Sequence, residues 1–246
     1  MSFDKLNKIN SELQTGSLSD LKSVFLDNMS HELRTPVTVI LGYAGILYEE
    51  LDDPELKEMA EIILKSSNRL TEALNLILDE ADIETNRLKI TLVTKNLSEL
   101  VKNKIALFKQ DANDKNLKLN IQIESNDLYA EIDERMFSKV VENLLNNAIK
   151  FTQSGGILVK LSKDADKILF EVIDTGIGIP NELKDLIFEA FRQVSEGMNR
   201  KYQGIGLGLS VSKKFVELLN GQIDFTSEEG KGSHFRVMLP FVPAPE

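Results

Sequence analysis

"KILFEVIDTGIGIP", residues 167–180, is the stretch on which the reading of this chain turns. Its first half alternates with the period of two of a β-strand and ends in Asp174. Its second half opens into a loop that carries Gly176 and Gly178. A carboxylate at a strand end can accept a hydrogen bond from an adenine amino group, and glycines let backbone approach a ring closely. A glycine loop after a strand is by itself an ordinary turn, so its neighbours along the chain decide what it is for.

On its N-terminal side lies "VVENLLNNAIKFT", residues 140–152. Phe137, Val140, Leu144, Ala148 and Phe151 fall on one side of a helix. Asn143, Asn146, Asn147 and Lys150 fall on another at i, i+3, i+4 and i+7. A solvated polar face would favour Glu, Lys or Gln, because Asn is a poor helix former. The asparagine stripe therefore points to side-chain amides used as ligands. On its C-terminal side lies "QGIGLGLSVSKKFVELL", residues 203–219, where Gly204, Gly206 and Gly208 precede a helix. Backbone amides at a glycine-rich helix start make a cradle for phosphate. An asparagine helix, an Asp-x-Gly-x-Gly loop and a Gly-x-Gly-x-Gly loop, in that order, describe a nucleotide site.

The surrounding texture predicts an α/β domain over residues 88–246. Short β-rich runs ("LKLNIQIE", "GGILVKLS", "KILFEVID", "SHFRVMLP") alternate with helical ones ("LSELVKNKIALFKQDAND", "RMFSKVVENLLNNAIKF", "SVSKKFVELLN"). The chain before residue 88 reads differently. Residues 3–14 carry Phe3, Leu6, Ile9 and Leu13 at coiled-coil spacing, so 1–17 is expected to be a signalling-helix fragment. Ser17 and Asp20 form a capping box. One long helix is predicted from about 18 to 50 and a second from about 54 to 86, joined at "DDP". This αα-hairpin of residues 18–87 cannot cover its own apolar seam, and two copies forming a four-helix bundle resolve that.

Composition narrows the class further. The 39 acidic and 29 basic residues leave a net charge of −10, which argues against nucleic acid or an anionic membrane as the main partner. Cysteine is absent, excluding thiol catalysis and cysteine-bound metal. No apolar run approaches the ~20 residues of a membrane span. The expectation is a cytosolic, soluble segment, with room for a longer, membrane-bound sensor upstream.

With these pieces in place the chain resembles the catalytic core of the sensor histidine kinases of two-component signalling over about residues 18–241. "FLDNMSHELRTP" (25–36) resembles the H box, "ENLLNNAIKFT" (142–152) the N box and "DTGIGIP" (174–180) the first G box. "IFEAFRQV" (187–194) resembles the F box and "GIGLGL" (204–209) the second G box. The resemblance implies two domains: a dimeric four-helix bundle, and an α/β sandwich whose mixed sheet is covered by helices, as in gyrase B and the heat-shock chaperone ATPases. It implies ATP and Mg²⁺ as ligands. Asn147 would hold Mg²⁺, with Asn143 and Lys150 on phosphate or metal. Asp174 would read adenine beside Gly176 and Gly178. Gly204, Gly206 and Gly208 would line the phosphates, and Arg200 and Lys201 are candidates for the γ-phosphate. Phe188 to Phe191 and residues 195–203 would form a lid, in which Ile205 and Gln203 stand where the family has a threonine and a glycine.

In the H box, His31 would be the phosphoacceptor. Near neutral pH an imidazole is largely neutral and nucleophilic. Glu32 would take its proton and Thr35, one turn along, would position a water. Pro36 removes an N–H, so the helix is expected to bend there. The implied partners are a second copy of the chain and the receiver domain of a response regulator. His234 reads as a structural histidine at a strand edge. The rival reading is a gyrase-type conformational ATPase, which needs a glutamate four residues before the metal asparagine. That position holds Asn143, and Glu142 fits only if Asn146 were the ligand.

Overall fold

The computed structural model describes residues 32, 34–85, 87–192 and 205–244. Expectations for the coiled-coil fragment, the Ser17 cap, the first part of the long helix, His31 and the stretch 193–204 lie outside them. The chain divides into two compact units, one ending at Leu88 and one beginning at Lys89.

The first unit is a helical hairpin. Helix α1 runs unbroken through Pro36 over residues 34–50, and α2 spans Pro54–Glu84. The turn between them follows from its residues. Asp53 accepts the Glu55 and Leu56 N–H groups at 2.9 and 3.1 Å, and Pro54, which has no N–H to lose, occupies the first helical position. Thr85 ends α2, donating its N–H and hydroxyl to the Ala81 carbonyl at 3.0 and 2.8 Å. The apolar residues buried within the hairpin are mostly small: Val37, Ala44, Ala60 and Ala81. Val39, Ile40, Tyr43, Ile46, Met59, Ile62, Ile63 and Leu70 are exposed.

The second unit is a two-layer α/β domain. An antiparallel ribbon pairs β1 (Val93–Asn96) with β3 (Tyr129–Ile132). The main sheet comprises β2 (Lys118–Ile123), β4 (Gly156–Asp164), β5 (Lys167–Asp174), β6 (Gln222–Glu228) and β7 (Gly232–Pro240), in the order β2-β4-β5-β7-β6. Only β2 and β4 are parallel. The helices are α3 (Leu97–Leu107), α4 (Lys109–Asp114), α5 (Glu134–Phe151) and α6 (Gly208–Leu218). Residues 97–114 were expected as one helix, and they split at the buried Phe108, whose N–H bonds to the Ile105 carbonyl three residues back at 3.0 Å. The strands β1, β3 and β6 were not anticipated, since none shows a clean alternation of apolar residues.

α5 and α6 cover one face of the sheet. Phe137 of α5 meets Phe170 of β5 edge to face, centroids 5.7 Å apart. Ile168, Phe170 and Val172 point into this layer, and Asp174 shares their parity and their burial. The period of two thus delivers the carboxylate to the helix-covered side, at the strand end. The position of His234 needs correction. β7 is flanked by β5 and β6, so its histidine sits on an interior strand and not at an edge. His234 faces away from the helices, its Nε2 2.7 Å from Glu171 Oε1. No helix among the described residues is long and apolar enough to cross a membrane.

Candidate functional site

The chemistry expected from the sequence converges where β5 ends beside α5 and α6. Asp133 starts α5: it is buried, accepts the Arg135 N–H and guanidinium, and takes the Thr91 N–H at 3.0 Å. Burial pushes its carboxyl up, but those hydrogen bonds and the Arg135 charge outweigh it and hold the group below the usual aspartate range.

Along α5 the four polar positions divide. Asn146 is exposed, and Asn147 and Lys150 are half-buried. Asn143 is buried, and its Nδ2 donates to the Gly208 carbonyl at 3.0 Å and to Ser212 Oγ at 3.1 Å. Because a carbonyl only accepts, the nitrogen side of this amide is set toward α6. Oδ1, the atom a cation would take, is the half not engaged with α6. The amide of Asn147 makes no hydrogen bond to the described residues. Glu142, the acid on which the rival reading depended, pairs with Lys104 of α3 at 2.8 Å.

Asp174 is held from two sides. Its Oδ1 accepts the Gly176 N–H at 2.8 Å and the Ser233 N–H at 3.3 Å. No described residue donates to Oδ2. Burial pushes the pKa of this carboxyl above its ordinary value, opposed by the two N–H groups. The loop after it is tied down on both flanks. Thr175 Oγ1 accepts the Gly156 N–H at 3.0 Å and approaches the Ser154 carbonyl at 3.2 Å. The Ile177 N–H donates to the Phe151 carbonyl at the end of α5, and the Ile177 carbonyl accepts the Gly230 N–H. Gly178 has φ +67°, and a Cβ there would lie 2.0 Å from the Glu228 carbonyl oxygen. Its freedom was expected to serve close approach to a ring, yet the constraint in this structure comes from the protein's own hairpin.

The second glycine loop is described from Ile205 onward. Gly206 (φ +76°) leaves room for the Arg192 carbonyl, and its own carbonyl accepts the Phe191 N–H at 3.0 Å. Gly208 opens α6, and no side chain caps that N-terminus. Its first-turn N–H groups are the ones the sequence leads one to expect at phosphate. Phe188 packs edge to face on Phe225, while Phe191 is exposed. Gly204, Arg200 and Lys201 lie outside the described residues. In the hairpin Glu32 is exposed, as is Thr35 in the first turn described for α1.

The structure thus brings Asn143, Asn147, Asp174, Gly176, Gly178, Gly206 and Gly208 into one domain around the α5–α6 layer. Ser233, Ser227 and Thr175 were missed by sequence reasoning. Small hydroxyl residues beside glycines are too common to stand out without the contacts.

Comparison with known proteins agrees with this geometry. Residues 21–86 match the model of the His Kinase A (phospho-acceptor) domain, and residues 132–243 match that of the histidine kinase-, DNA gyrase B-, and HSP90-like ATPase. The hybrid signal transduction histidine kinase B of Dictyostelium discoideum is 36% identical over 228 residues, which cover 90% of this chain and 12% of that protein. The circadian input-output histidine kinase CikA of Thermosynechococcus vestitus is 37% identical over 232 residues, 92% of this chain and 32% of that one. The chain therefore spans a third or less of the length of these relatives. Among solved structures, full-length ShkA in complex with AMPPNP superposes with a TM-score of 0.73 at 27% identity, covering 90% of this chain and 46% of that one. Carrying the phospho-acceptor hairpin and the ATPase domain in that order, the chain belongs to the sensor histidine kinases and comprises their catalytic core.

Proposed function

We propose that this chain is an ATP-dependent protein histidine kinase that phosphorylates its own His31 and passes the phosphoryl group to an aspartate of a response-regulator receiver domain. The observation that carries the reading is Asp174. It is a buried carboxylate with one oxygen fixed by two backbone N–H groups, and it lies in the domain that also presents Asn147 and the uncapped start of α6. Oδ2 is the acceptor for the adenine amino group. The N–H groups of the second glycine loop and Lys150 receive the phosphates, with Arg200 and Lys201 at the γ-phosphate.

Mg²⁺ fits the donor set. The described residues contain no cluster of acidic or histidine ligands, and an ion that relies on substrate phosphates needs only one or two protein oxygens. Asn147, with Asn143 Oδ1 beside it, would hold the ion, which would neutralise triphosphate charge. In the transfer, a nitrogen of the His31 ring attacks the γ-phosphorus and the bond to the β,γ-bridging oxygen breaks. ADP leaves, and Glu32 takes the ring proton. The chain acts as a homodimer through residues 18–87, whose exposed apolar face is buried against a second copy. We assign a second activity, dephosphorylation of the regulator, to Glu32 and Thr35.

Incubation with γ-labelled ATP and Mg²⁺ tests the reading. Label should be acid-labile, base-stable, lost in His31→Gln and retained in His234→Gln. Label that survives in His31→Gln refutes the assignment. The gyrase-type reading is not favoured, because the position four residues before Asn147 holds Asn143, which cannot act as a base, and Glu142 is paired with Lys104.

A further inference from the structure

We infer that Ser227 is a positioning residue for nucleotide recognition, bracing the Asp174–Ile179 loop from behind through the end of the β6–β7 hairpin. The inference rests on the ATP reading proposed above. Ser227 lies on β6 directly across from Ser233 on β7, and its single hydroxyl serves three partners on two segments, the glycine loop and β7. Oγ accepts the N–H of Ile179 at 2.9 Å and donates to the Gly232 carbonyl at 2.8 Å. Its one proton is then committed, so the 3.0 Å contact with Ser233 Oγ is donated by Ser233. The hydroxyl is saturated: one bond given, two accepted.

Each of those partners leads to the nucleotide loop. Ser233, once its side chain is held, directs its backbone N–H at Asp174 Oδ1. Ile179 closes the glycine loop that begins at Asp174. Two further contacts make the hairpin a continuous backing. Gly230 donates its N–H to the Ile177 carbonyl at 2.7 Å, and Gly178 lies against the Glu228 carbonyl without room for a Cβ. Thus the carboxylate at the end of β5 is aimed by a hydroxyl two strands away. Removing that hydroxyl takes from the buried Ile179 N–H the acceptor it has here. Recovering one requires the loop to move or water to enter.

The test uses the whole chain, with Ser227→Ala and Ser227→Thr. Threonine keeps the hydroxyl and suits a strand. Three quantities are read: hydrogen exchange at the Ile179 amide without nucleotide, ATP affinity by calorimetry, and the KM and kcat of autophosphorylation. Ser227→Ala should lose protection at Ile179 and weaken ATP about ten-fold, with kcat at saturating ATP within about two-fold. Ser227→Thr should restore both protection and affinity. Unchanged Ile179 exchange in Ser227→Ala overturns the brace. Equal losses in kcat and affinity together with a lowered unfolding midpoint also overturn it, by making Ser227 a packing residue. Wild-type protein that binds no ATP while Ile179 protection still depends on Ser227 overturns the nucleotide reading, and this inference with it.

Discussion

The two units of this chain bury themselves by opposite routes. In the ATPase unit Phe137, Val140, Leu144, Phe170, Val172, Val211 and Val237 are all at most 1% exposed. There, Ile90, Val93, Leu107 and Phe191 are the exposed large apolar residues among those described. In the hairpin the small residues Ala44 and Ala60 are inside, whereas Tyr43, Met59, Ile62 and Leu70 are 68%, 58%, 56% and 54% exposed. A sheet with helices across one face encloses a core of its own. Two helices have too little mutual surface, and small residues between them let the backbones close while larger ones turn outward. The ATPase unit is therefore a self-sufficient machine, and the hairpin is half of one.

If that contrast holds, a charge on the hairpin face should have the largest effect. Ile62→Asp should weaken self-association of the chain at least a hundred-fold, about 2.7 kcal/mol, by burying a carboxylate in an apolar contact. ATP affinity should stay within two-fold. Light scattering and calorimetry check the pair of outcomes, and a dimer that survives Ile62→Asp breaks the comparison. Substitutions in the ATPase unit should do the reverse. Asn147→Ala and Asp174→Asn should weaken ATP ten- to hundred-fold, as expected for a lost bond to a charged group, while the dimer persists.

A smaller effect would separate the two activities proposed for one helix turn. Thr35→Ala should keep autophosphorylation within a few-fold, because the hydroxyl has no part in the attack proposed for His31. Dephosphorylation of the regulator should fall at least ten-fold, about 1.4 kcal/mol of barrier. Equal loss of both would mean that Thr35 serves packing.

The smallest effects concern the two buried aspartates, whose pH signatures have opposite signs. Asp133 is held below the ordinary value of 3.8, so its contribution is present above that pH and fades as pH falls through its folded value. Asp133→Ala should cost the ATPase unit about 1 kcal/mol at neutral pH by loss of the helix cap, with the difference shrinking in acid. Asp174 is raised above 3.8, so its folding contribution is present below 3.8 and lost as pH rises through the folded value. Asp174→Asn should therefore raise the unfolding midpoint slightly at neutral pH while weakening ATP. Melting curves at several pH values decide both, and equal signs would show that Asp133 and Asp174 are not opposed in this way.

What the sequence by itself determined is what periodicity and punctuation encode. The apolar alternation of residues 168–172 ending in Asp174 announced a strand with a carboxylate at its tip. Asp53–Pro54 announced the hairpin turn, and the apolar spacing of Phe137, Val140, Leu144, Ala148 and Phe151 announced the helix that carries the asparagine stripe. These are local signals, legible because each rests on neighbours within one or two turns of chain. The tertiary structure decided everything that depends on residues far apart in sequence. It divided the asparagine stripe, committing the nitrogen of Asn143 to Gly208 and Ser212 while leaving Asn147 uncommitted. It moved His234 from a supposed edge to an interior strand, because strand order is set by pairing and not by chain order. It also assembled the support of Asp174 from Gly176, Ser233 and Ser227, on three different segments. Hydrogen-bond partners supplied across a sheet carry no periodicity, so only the folded chain could reveal them.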